Sequence, residues 1–291
     1  MILVTGASGS VGREVVREMM KTGKEFRAMF RSKEEAAKAP TRVQTVIADF
    51  RDAASLANAL RGVEQAFLVC SPIPELVELE GNAIDACRKA GVERIVLNSA
   101  LGAGDFGKSF PSWHRKVEDK LKASGIESVI LRPNGFMQNV VTYLAPSIRV
   151  QGVFYDAMGG AKTSYVDVND VAAVAAKVLT SEGHAGKAYE LNGPESITQD
   201  ELAKRISAAT GRPVGHVTVS RDEYRKGLLD AGVPEWMANA ELDLQEYFQS
   251  GKAAVVDGLV AKLLGRPERT IDQFLSEVAD QFREQRANAG G

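Results

Sequence analysis

Three glycines at a spacing of three residues stand close to the start of the chain, in the segment Thr5-Gly-Ala-Ser-Gly-Ser-Val-Gly12. The apolar run Ile2–Val4 precedes them, and apolar residues recur at helical spacing from Val11 onward. In such a strand–turn–helix unit the glycines let the backbone approach a pyrophosphate, which the N–H groups of the helix N-terminus bind. The alternative is a glycine-rich turn without a ligand. We predict a dinucleotide site formed by Gly6, Ala7, Ser8, Gly9, Ser10, Val11 and Gly12.

The residue that follows the second predicted strand bears on the choice of dinucleotide. In NAD-selective proteins an acid about 20 residues after the glycines binds the ribose 2′-OH. Here Arg31 lies 19 residues after Gly12, and the segment Ala28–Lys33 contains no acid. A guanidinium can hold a 2′-phosphate by paired, charge-assisted hydrogen bonds, so we predict NADP(H) rather than NAD(H). A solvated surface arginine is the alternative.

Two further strand ends carry candidate cofactor residues. Asp49 can accept a hydrogen bond from the adenine amino group while Phe50 packs near the ring; alternatively, Asp49 caps the following helix. Cys70, Ser71 and Pro72 end the fourth predicted strand, beside the expected position of the ribose and nicotinamide. We interpret Cys70 itself as a small buried apolar residue.

A histidine and a glutamate four residues apart are the candidate catalytic pair. His114 and Glu118 share one face of a predicted helix. A carboxylate there can fix the imidazole tautomer and raise its pKa, so that His114 donates a proton near neutral pH. The alternative is a helix-surface pair with no catalytic part. Trp113, Phe136 and nearby apolar side chains (Met137 and Tyr143) form either a wall for a flat aromatic substrate or ordinary core.

Composition excludes several classes of protein. The chain has 291 residues, with 36 Lys and Arg against 38 Asp and Glu, so the net charge of −2 gives no sign of a nucleic-acid or membrane partner. Two cysteines form neither a disulfide framework nor a zinc motif, and no metal is predicted. The first strand begins at Ile2, which leaves no room for a targeting peptide, so we expect a cytoplasmic protein.

Short β-rich runs alternate with helical patterns over the first half of the chain, which predicts a parallel sheet with right-handed crossovers. The predicted strands are Ile2–Thr5, Phe26–Phe30, Val43–Ile47, Gln65–Val69, Arg94–Asn98 and Ser128–Leu131. The predicted helices are Val11–Lys21, Ala54–Leu60, Leu76–Ala90 and Pro111–Ala123. The expected fold class is α/β, a Rossmann-type doubly wound parallel sheet.

The pattern changes after Asn134, and a smaller, mostly helical C-terminal substrate lobe is expected. Residues 1–134 form the predicted NAD(P)-binding domain, completed by segments within 162–192, and residues 135–161 and 193–291 form the lobe. Within the second half we predict a helix at Phe136–Leu144, a strand at Thr163–Val168 entering the helix Asn169–Leu179, and strands at Ala188–Leu191 and His216–Val219. Thr198-x-x-Glu201 and Thr270-x-x-Gln273 predict capping boxes. The tail Ala289–Gly291 is expected to fray.

Several of these motifs resemble those of the NmrA-like, atypical short-chain dehydrogenases, in particular the bacterial NAD(P)H:quinone oxidoreductases and triphenylmethane reductases. The motifs are Thr5–Gly12, Arg31, Asp49, Ser99, His114-x-x-x-Glu118, Leu131–Phe136, and segments 164–171, 183–191 and 231–234. They extend over nearly the whole chain. The resemblance implies that Pro133, Asn134, Gly135 and Phe136 close over the nicotinamide and that Ser99 lies near it; a simple strand-end hydroxyl is the alternative for Ser99.

Most short-chain dehydrogenases use Tyr-x-x-x-Lys, but this chain has His114 and Glu118 at the corresponding positions. The resemblance therefore implies an NADPH-dependent reductase of quinones or related flat, electron-poor aromatics, dyes included, in which hydride positioning alone can suffice. Two alternatives stay open: a redox sensor that binds NADP(H) without turnover, and a reductase of an imine or enone. A homodimer is possible on this sequence.

Overall fold

The computed structural model describes residues 1–283, and the predicted frayed tail lies outside them. The strands are β1 (Ile2–Val4), β2 (Phe26–Phe30), β3 (Gln44–Ile47), β4 (Gln65–Leu68), β5 (Arg94–Asn98), β6 (Glu127–Pro133), β7 (Val153–Asp156), β8 (Lys162–Thr163), β9 (Ala188–Leu191), β10 (Ile197–Thr198) and β11 (Gly215–Thr218). The helices are α1 (Ser10–Thr22), α2 (Lys33–Ala36), α3 (Ala53–Ala59), α4 (Leu76–Ala90), α5 (Ser109–Ala123), α6 (Met137–Asn139), α7 (Ala145–Gln151), α8 (Val168–Thr180), α9 (Gln199–Thr210), α10 (Arg221–Asp230), α11 (Glu235–Gln249), α12 (Leu259–Leu264) and α13 (Ile271–Val278).

These elements form two compact units. The first contains Met1–Pro133, Val168–Leu191 and Leu259–Arg266, and the second contains Asn134–Asp167, Asn192–Gly258 and the segment from Pro267 onward. The segment Leu259–Arg266 thus packs with the first unit, although the sequence analysis placed it in the lobe. None of the helices in the described part of the chain is long and apolar enough to cross a membrane.

The first unit is built on a seven-stranded sheet in the order β3-β2-β1-β4-β5-β6-β9, and every neighbouring pair is parallel. The strand order reverses between β1 and β4. Ligands of such sheets bind outside the carboxyl ends of the strands at this reversal. The predicted Rossmann-type doubly wound parallel sheet is therefore confirmed, and its topology fixes the edge at which a cofactor would lie.

Helices flank this sheet. Helix α4 packs against α3 and α5, while α1 packs against α8, whose small side chains are buried. Central strands are enclosed: all five residues of β5 are buried. This burial explains why the strands are almost wholly apolar rather than alternating. Glycines at the helix ends, Gly23 and Gly91 among them, adopt the left-handed conformation that commonly ends a helix.

The second unit has its own core, formed by α6, α7, α9 and α13 around Phe154, Ile206 and Phe274. It contains two small sheets: β7 pairs with β11 in parallel, and β8 pairs with β10 in antiparallel. The capping boxes at Thr198 and Thr270 are both present, as predicted.

Three local predictions differ from the structure. The expected strand Thr163–Val168 is reduced to β8 and one bridge between Phe136 and Val166, because helix α8 already begins at Val168. The expected helix Phe136–Leu144 is α6 followed by a π-helical turn, Val140–Leu144. Strand β7 was missed, because its partner β11 is distant in sequence: Val153 pairs with Gly215, and 215 − 153 = 62.

Candidate active site

The glycine turn between β1 and α1 is shaped by contacts that exclude side chains. Gly6 has φ +59°, and a Cβ atom there would lie 2.7 Å from Val69 Cγ1. A Cβ at Gly12 would lie 2.2 Å from the Gly6 carbonyl oxygen, so the first turn of α1 presses against the loop. Only glycine fits both positions. The backbone at this turn is therefore open to a ligand on its outer side, where Ser8, Gly9 and Ser10 are exposed.

The N-terminus of α1 is arranged to bind an anion. Its N-cap residue, Gly9, offers no side-chain cap, and no acid stands in the first turn. The first N–H groups of a helix have no partner within the helix, and they carry its positive partial charge. The helix N-terminus at the strand-order reversal can therefore bind a pyrophosphate. The residues present fit this group, because no acid in the first turn would repel it.

Arg31 immediately follows β2, at the same carboxyl edge of the sheet. Its side chain is 69% exposed, and its Nη2 lies 3.5 Å from Glu35 Oε1. Glu35 Oε2 also accepts hydrogen bonds from the Arg31 backbone N–H (3.2 Å) and from the Ser8 hydroxyl (3.1 Å). An acid thus stands beside Arg31 in space, on α2, although none occupies the position expected in NAD-selective proteins.

Asp49 follows β3, but it does not cap the next helix. The cap of α3 is Asp52, whose carboxylate accepts from the N–H groups of Ala54 and Ser55. Asp49 instead accepts from the Arg51 backbone N–H at 2.7 Å, and its side chain is 41% exposed. The helix-capping alternative for Asp49 is therefore wrong, and its carboxylate remains accessible.

Phe50 belongs to the hydrophobic core cluster of the first unit and is only 8% exposed. Its backbone carbonyl accepts a hydrogen bond from the Asn82 side chain at 3.2 Å. The ring packs among core residues in this structure. Core packing alone accounts for an aromatic residue here.

The end of β4 places Cys70 half-buried, with Ser71 and Pro72 exposed. Burial, with a contribution from the nearby Glu80, raises the pKa of Cys70 to about 11, so its side chain is a neutral thiol. Glu80 on α4 is fully buried, and burial raises its pKa to about 8. Neither carboxyl oxygen of Glu80 has a hydrogen-bond partner of acceptable geometry among residues 1–283.

Glu118 does not pair with His114. Its Oε1 accepts from the Ser99 hydroxyl (2.7 Å) and from Arg132 Nε (2.9 Å), and its Oε2 accepts from Arg132 Nη2 at 2.7 Å. Arg132 also lies 3.5 Å from Glu190 on β9. Although burial opposes it, the hydrogen bonds and charge of Arg132 keep the pKa of Glu118 below its usual value. This carboxylate ties α5 to β6 and to the residue after β5.

His114 is buried on α5, 6% exposed, and its Nδ1 has no hydrogen-bond partner in the described chain. Burial lowers its pKa to about 4, although the charge of Glu118 acts in the opposite direction. The expectation of a raised pKa for His114, with proton donation near neutral pH, is therefore wrong. The cost of burying a charged imidazole outweighs the favourable charge of Glu118.

The segment after β6 divides between the two units. Pro133 ends β6, while Asn134, Gly135 and Phe136 belong to the second unit. The Asn134 side chain is buried there, donating to Asn192 and to the Ala253 carbonyl, each at 2.9 Å. Its hydrogen-bonding capacity thus serves the second unit in this structure.

The apolar candidates are also divided. Trp113 packs at the edge of the first unit's core, and Met137 is fully buried in the core of the second. Tyr143, also in the second unit, is 57% exposed. Core packing therefore accounts for Met137. Residues 1–283 contain no cluster of three or more His, Cys, Asp or Glu side chains able to hold a metal ion.

Three charged residues of this edge were missed in the sequence: Glu35, Arg51 and Arg132. Arg132 stands within Leu131–Phe136, where its partners on other elements decide its role. Glu35 lies just after the segment Ala28–Lys33, which contains no acid. Spacing alone could not assign the partners of Arg132, because Glu118 and Glu190 lie on other elements.

The chain is similar over nearly its whole length to proteins of known activity. The chain is 35% identical over 284 residues to the NAD(P)H azoreductase of Xenophilus azovorans. The aligned region covers 97% of this chain and 99% of that protein. The crystal structure of the NADPH-dependent quinone oxidoreductase QOR2 of Escherichia coli, complexed with NADPH, superposes with a TM-score of 0.89 at 31% identity, covering 96% of this chain and 99% of that one.

The Citrobacter sp. triphenylmethane reductase complexed with NADP(H) superposes with a TM-score of 0.87 at 27% identity, covering 96% of this chain and all of that one (100%). These are the two groups that the sequence motifs resembled. Residues 6–182, more than half of the chain, match the family described as NAD(P)H-binding. They include the glycine turn, Arg31, Asp49 and the whole of α5. The chain therefore belongs to the NAD(P)H-binding family.

Proposed function

We propose that this protein is an NADPH-dependent oxidoreductase that transfers hydride to quinones or related flat, electron-poor aromatic compounds, including dyes. One observation carries the proposal: the uncapped N-terminus of α1, Arg31, Asp49 and Cys70–Pro72 all lie at the carboxyl edge of the parallel sheet, around its strand-order reversal. Relatives of nearly equal length, named for azo, quinone and triphenylmethane reduction, support the acceptor class.

The residues of the first unit take distinct parts in this proposal. The turn Gly6–Gly12 and the α1 N-terminus bind the pyrophosphate, and Arg31 binds the 2′-phosphate. Asp49 accepts from the adenine amino group, and Ser71 and Pro72 border the ribose and nicotinamide. The bound dinucleotide supplies the hydride, so the chain must orient donor and acceptor and exclude water.

His114 enters this proposal as a neutral side chain. With a pKa of about 4, the imidazole is uncharged at neutral pH, so it is available as a hydrogen-bond donor and not as a standing acid. Glu118 is then a positioning residue: it holds α5 through Ser99 and Arg132. A quinone makes small demands on an acid, because its aromatic ring stabilises the hydroquinone anion that hydride transfer produces.

The proposal is tested by following NADPH absorbance as quinones, azo dyes and triphenylmethane dyes are added to the pure protein, with NADH in parallel. Acceptor-dependent oxidation, faster with NADPH, is expected. Binding of NADPH without oxidation by any acceptor would favour the redox sensor. Oxidation of NADPH by enones or imines alone would favour a reductase of an imine or enone.

A further inference from the structure

Three groups converge on a single carboxylate beside the glycine turn. Glu35 Oε2 accepts from the Ser8 hydroxyl at 3.1 Å and from the Arg31 backbone N–H at 3.2 Å. Glu35 Oε1 lies 3.5 Å from the Arg31 guanidinium. Ser8 lies in the β1–α1 turn and Arg31 at the end of β2, so this carboxylate joins two neighbouring strand ends of the sheet.

The donors around Glu35 are of the kind that would hold a phosphate. A hydroxyl, a backbone N–H and a guanidinium all bind dianionic phosphate oxygens as readily as a carboxylate. Arg31 is the residue proposed to bind the 2′-phosphate. A phosphate and the Glu35 carboxylate therefore require the same donors, and two anions repel each other at this distance.

Glu35 is able to leave. Its backbone N–H donates to Ser32 Oγ at 3.2 Å, which fixes the main chain of α2. Its side chain is 28% exposed and faces a largely exposed partner, Arg31. Exposed ion pairs of this kind contribute little, so exchanging the carboxylate for a phosphate costs little and requires only a rotation of the side chain.

We propose that Glu35 is an internal anion that occupies the site of the ribose 2′ substituent and so sets the balance between NADPH and NADH. The proposal rests on the proposed function, because it concerns the same dinucleotide site. With NADH, the carboxylate remains in place and accepts a hydrogen bond from the ribose 2′-OH. With NADPH, the phosphate displaces it from Ser8 and Arg31.

The test compares Glu35→Gln with Glu34→Gln. Glu34 lies next in the chain, is exposed and contacts neither Ser8 nor Arg31, so its variant loses the same charge without the same contacts. Calorimetry measures the dissociation constants of adenosine 2′,5′-bisphosphate and of 5′-AMP for both variants and the wild type, and nicotinamide fluorescence measures those of NADPH and NADH. These readouts need no turnover.

We expect Glu35→Gln to bind adenosine 2′,5′-bisphosphate and NADPH about fivefold more tightly and NADH about fivefold more weakly, the size of an exposed ion pair or hydrogen bond. Glu34→Gln should preserve the wild-type ratio, and all melting temperatures should agree closely. Equal behaviour of the two variants would overturn the inference while leaving the proposed function intact.

A loss of affinity for every ligand in Glu35→Gln, together with a lower melting temperature, would also overturn it, because Glu35 would then only hold the turn. If the wild-type protein binds neither NADPH nor the bisphosphate, the proposed function itself fails. That result is seen before any variant is made.

Discussion

Arg31 is the single side chain on which the proposed preference for NADPH depends most directly. It stands at the end of β2 with its guanidinium largely exposed, so truncation should leave the fold intact. We expect Arg31→Ala to weaken NADPH binding by about 10- to 100-fold, the value of charge-assisted hydrogen bonds to phosphate, and NADH binding far less. Fluorescence titration checks this, with Lys33→Ala as the control of equal charge. Equal losses for both cofactors would contradict the assignment.

His114 gives the second prediction at this scale. Its folded pKa of about 4 lies below the usual 6.5, so the neutral form persists until the pH falls well below 6. We therefore expect no inflection near pH 6.5 in kcat, and the His114 ring signals in NMR should titrate near pH 4.

Replacement of His114 tests whether its hydrogen-bond donor contributes to turnover. His114→Ala should lower kcat by about tenfold through loss of a hydrogen-bond donor, while the cofactor dissociation constant changes little. His114→Asn, which keeps an N–H donor, should recover part of the rate. Unchanged turnover in His114→Ala would leave hydride positioning as the whole mechanism.

At this scale the sequence predicts features that neighbouring residues determine, and it does not predict features that tertiary packing determines. The position of the glycine turn before α1 and that of Arg31 after β2 could be predicted, because adjacent residues define each strand end. The charge state of His114 was predicted wrongly, because the burial that lowers its pKa is a property of the packed unit. A spacing of four residues places two side chains on one face without making them bond.

At the scale of elements, the first turn of α1 depends on the absence of a side chain. A Cβ at Gly12 would lie 2.2 Å from a backbone oxygen, which cannot rotate away. We expect Gly12→Ala to destabilise the protein by roughly 2–3 kcal/mol, as overpacking does, and to abolish tight NADPH binding. Urea unfolding and fluorescence titration measure the two effects.

Gly227 provides the matched control for that substitution. It lies on the exposed side of α10, and a Cβ there would meet nothing within 4 Å. Gly227→Ala should raise the free energy of unfolding by about 0.5–1 kcal/mol, because alanine favours a helix more than glycine does. A similar loss of stability in both variants would show that the close approach at Gly12 is not the cause.

Helices with a strong apolar period and definite end signals were predicted closely: α4 was placed at Leu76–Ala90, as observed. Strand β7 was missed, because pairing with β11 and not a local pattern makes it a strand. Elements defined by their own residues could thus be predicted, and those defined by a distant partner could not.

At the scale of the whole molecule, Glu80 makes folding stability depend on pH. Its folded pKa of about 8 lies above the ordinary 4.5, because the neutral carboxyl is favoured in the interior. Its contribution is therefore fully present below about pH 4.5 and is lost as the pH rises to about 8.

Substitution of Glu80 tests this linkage. Relative to the wild type, Glu80→Gln should gain on the order of several kcal/mol between pH 5 and pH 8, because it has no proton to lose. Urea unfolding at the two values measures the gain, with Glu78→Gln, exposed on the same helix, as control. A gain that does not depend on pH would show that Glu80 is not the titrating group.

Both cysteines of this chain are neutral thiols. Burial raises the pKa of Cys87 to about 12, and that of Cys70 is raised to about 11. Quinones are electrophiles that arylate thiolates, and the thiolate rather than the thiol is the nucleophile. The two cysteines therefore present almost no thiolate at neutral pH. A quinone reductase with such cysteines is protected from covalent inactivation by its own substrates.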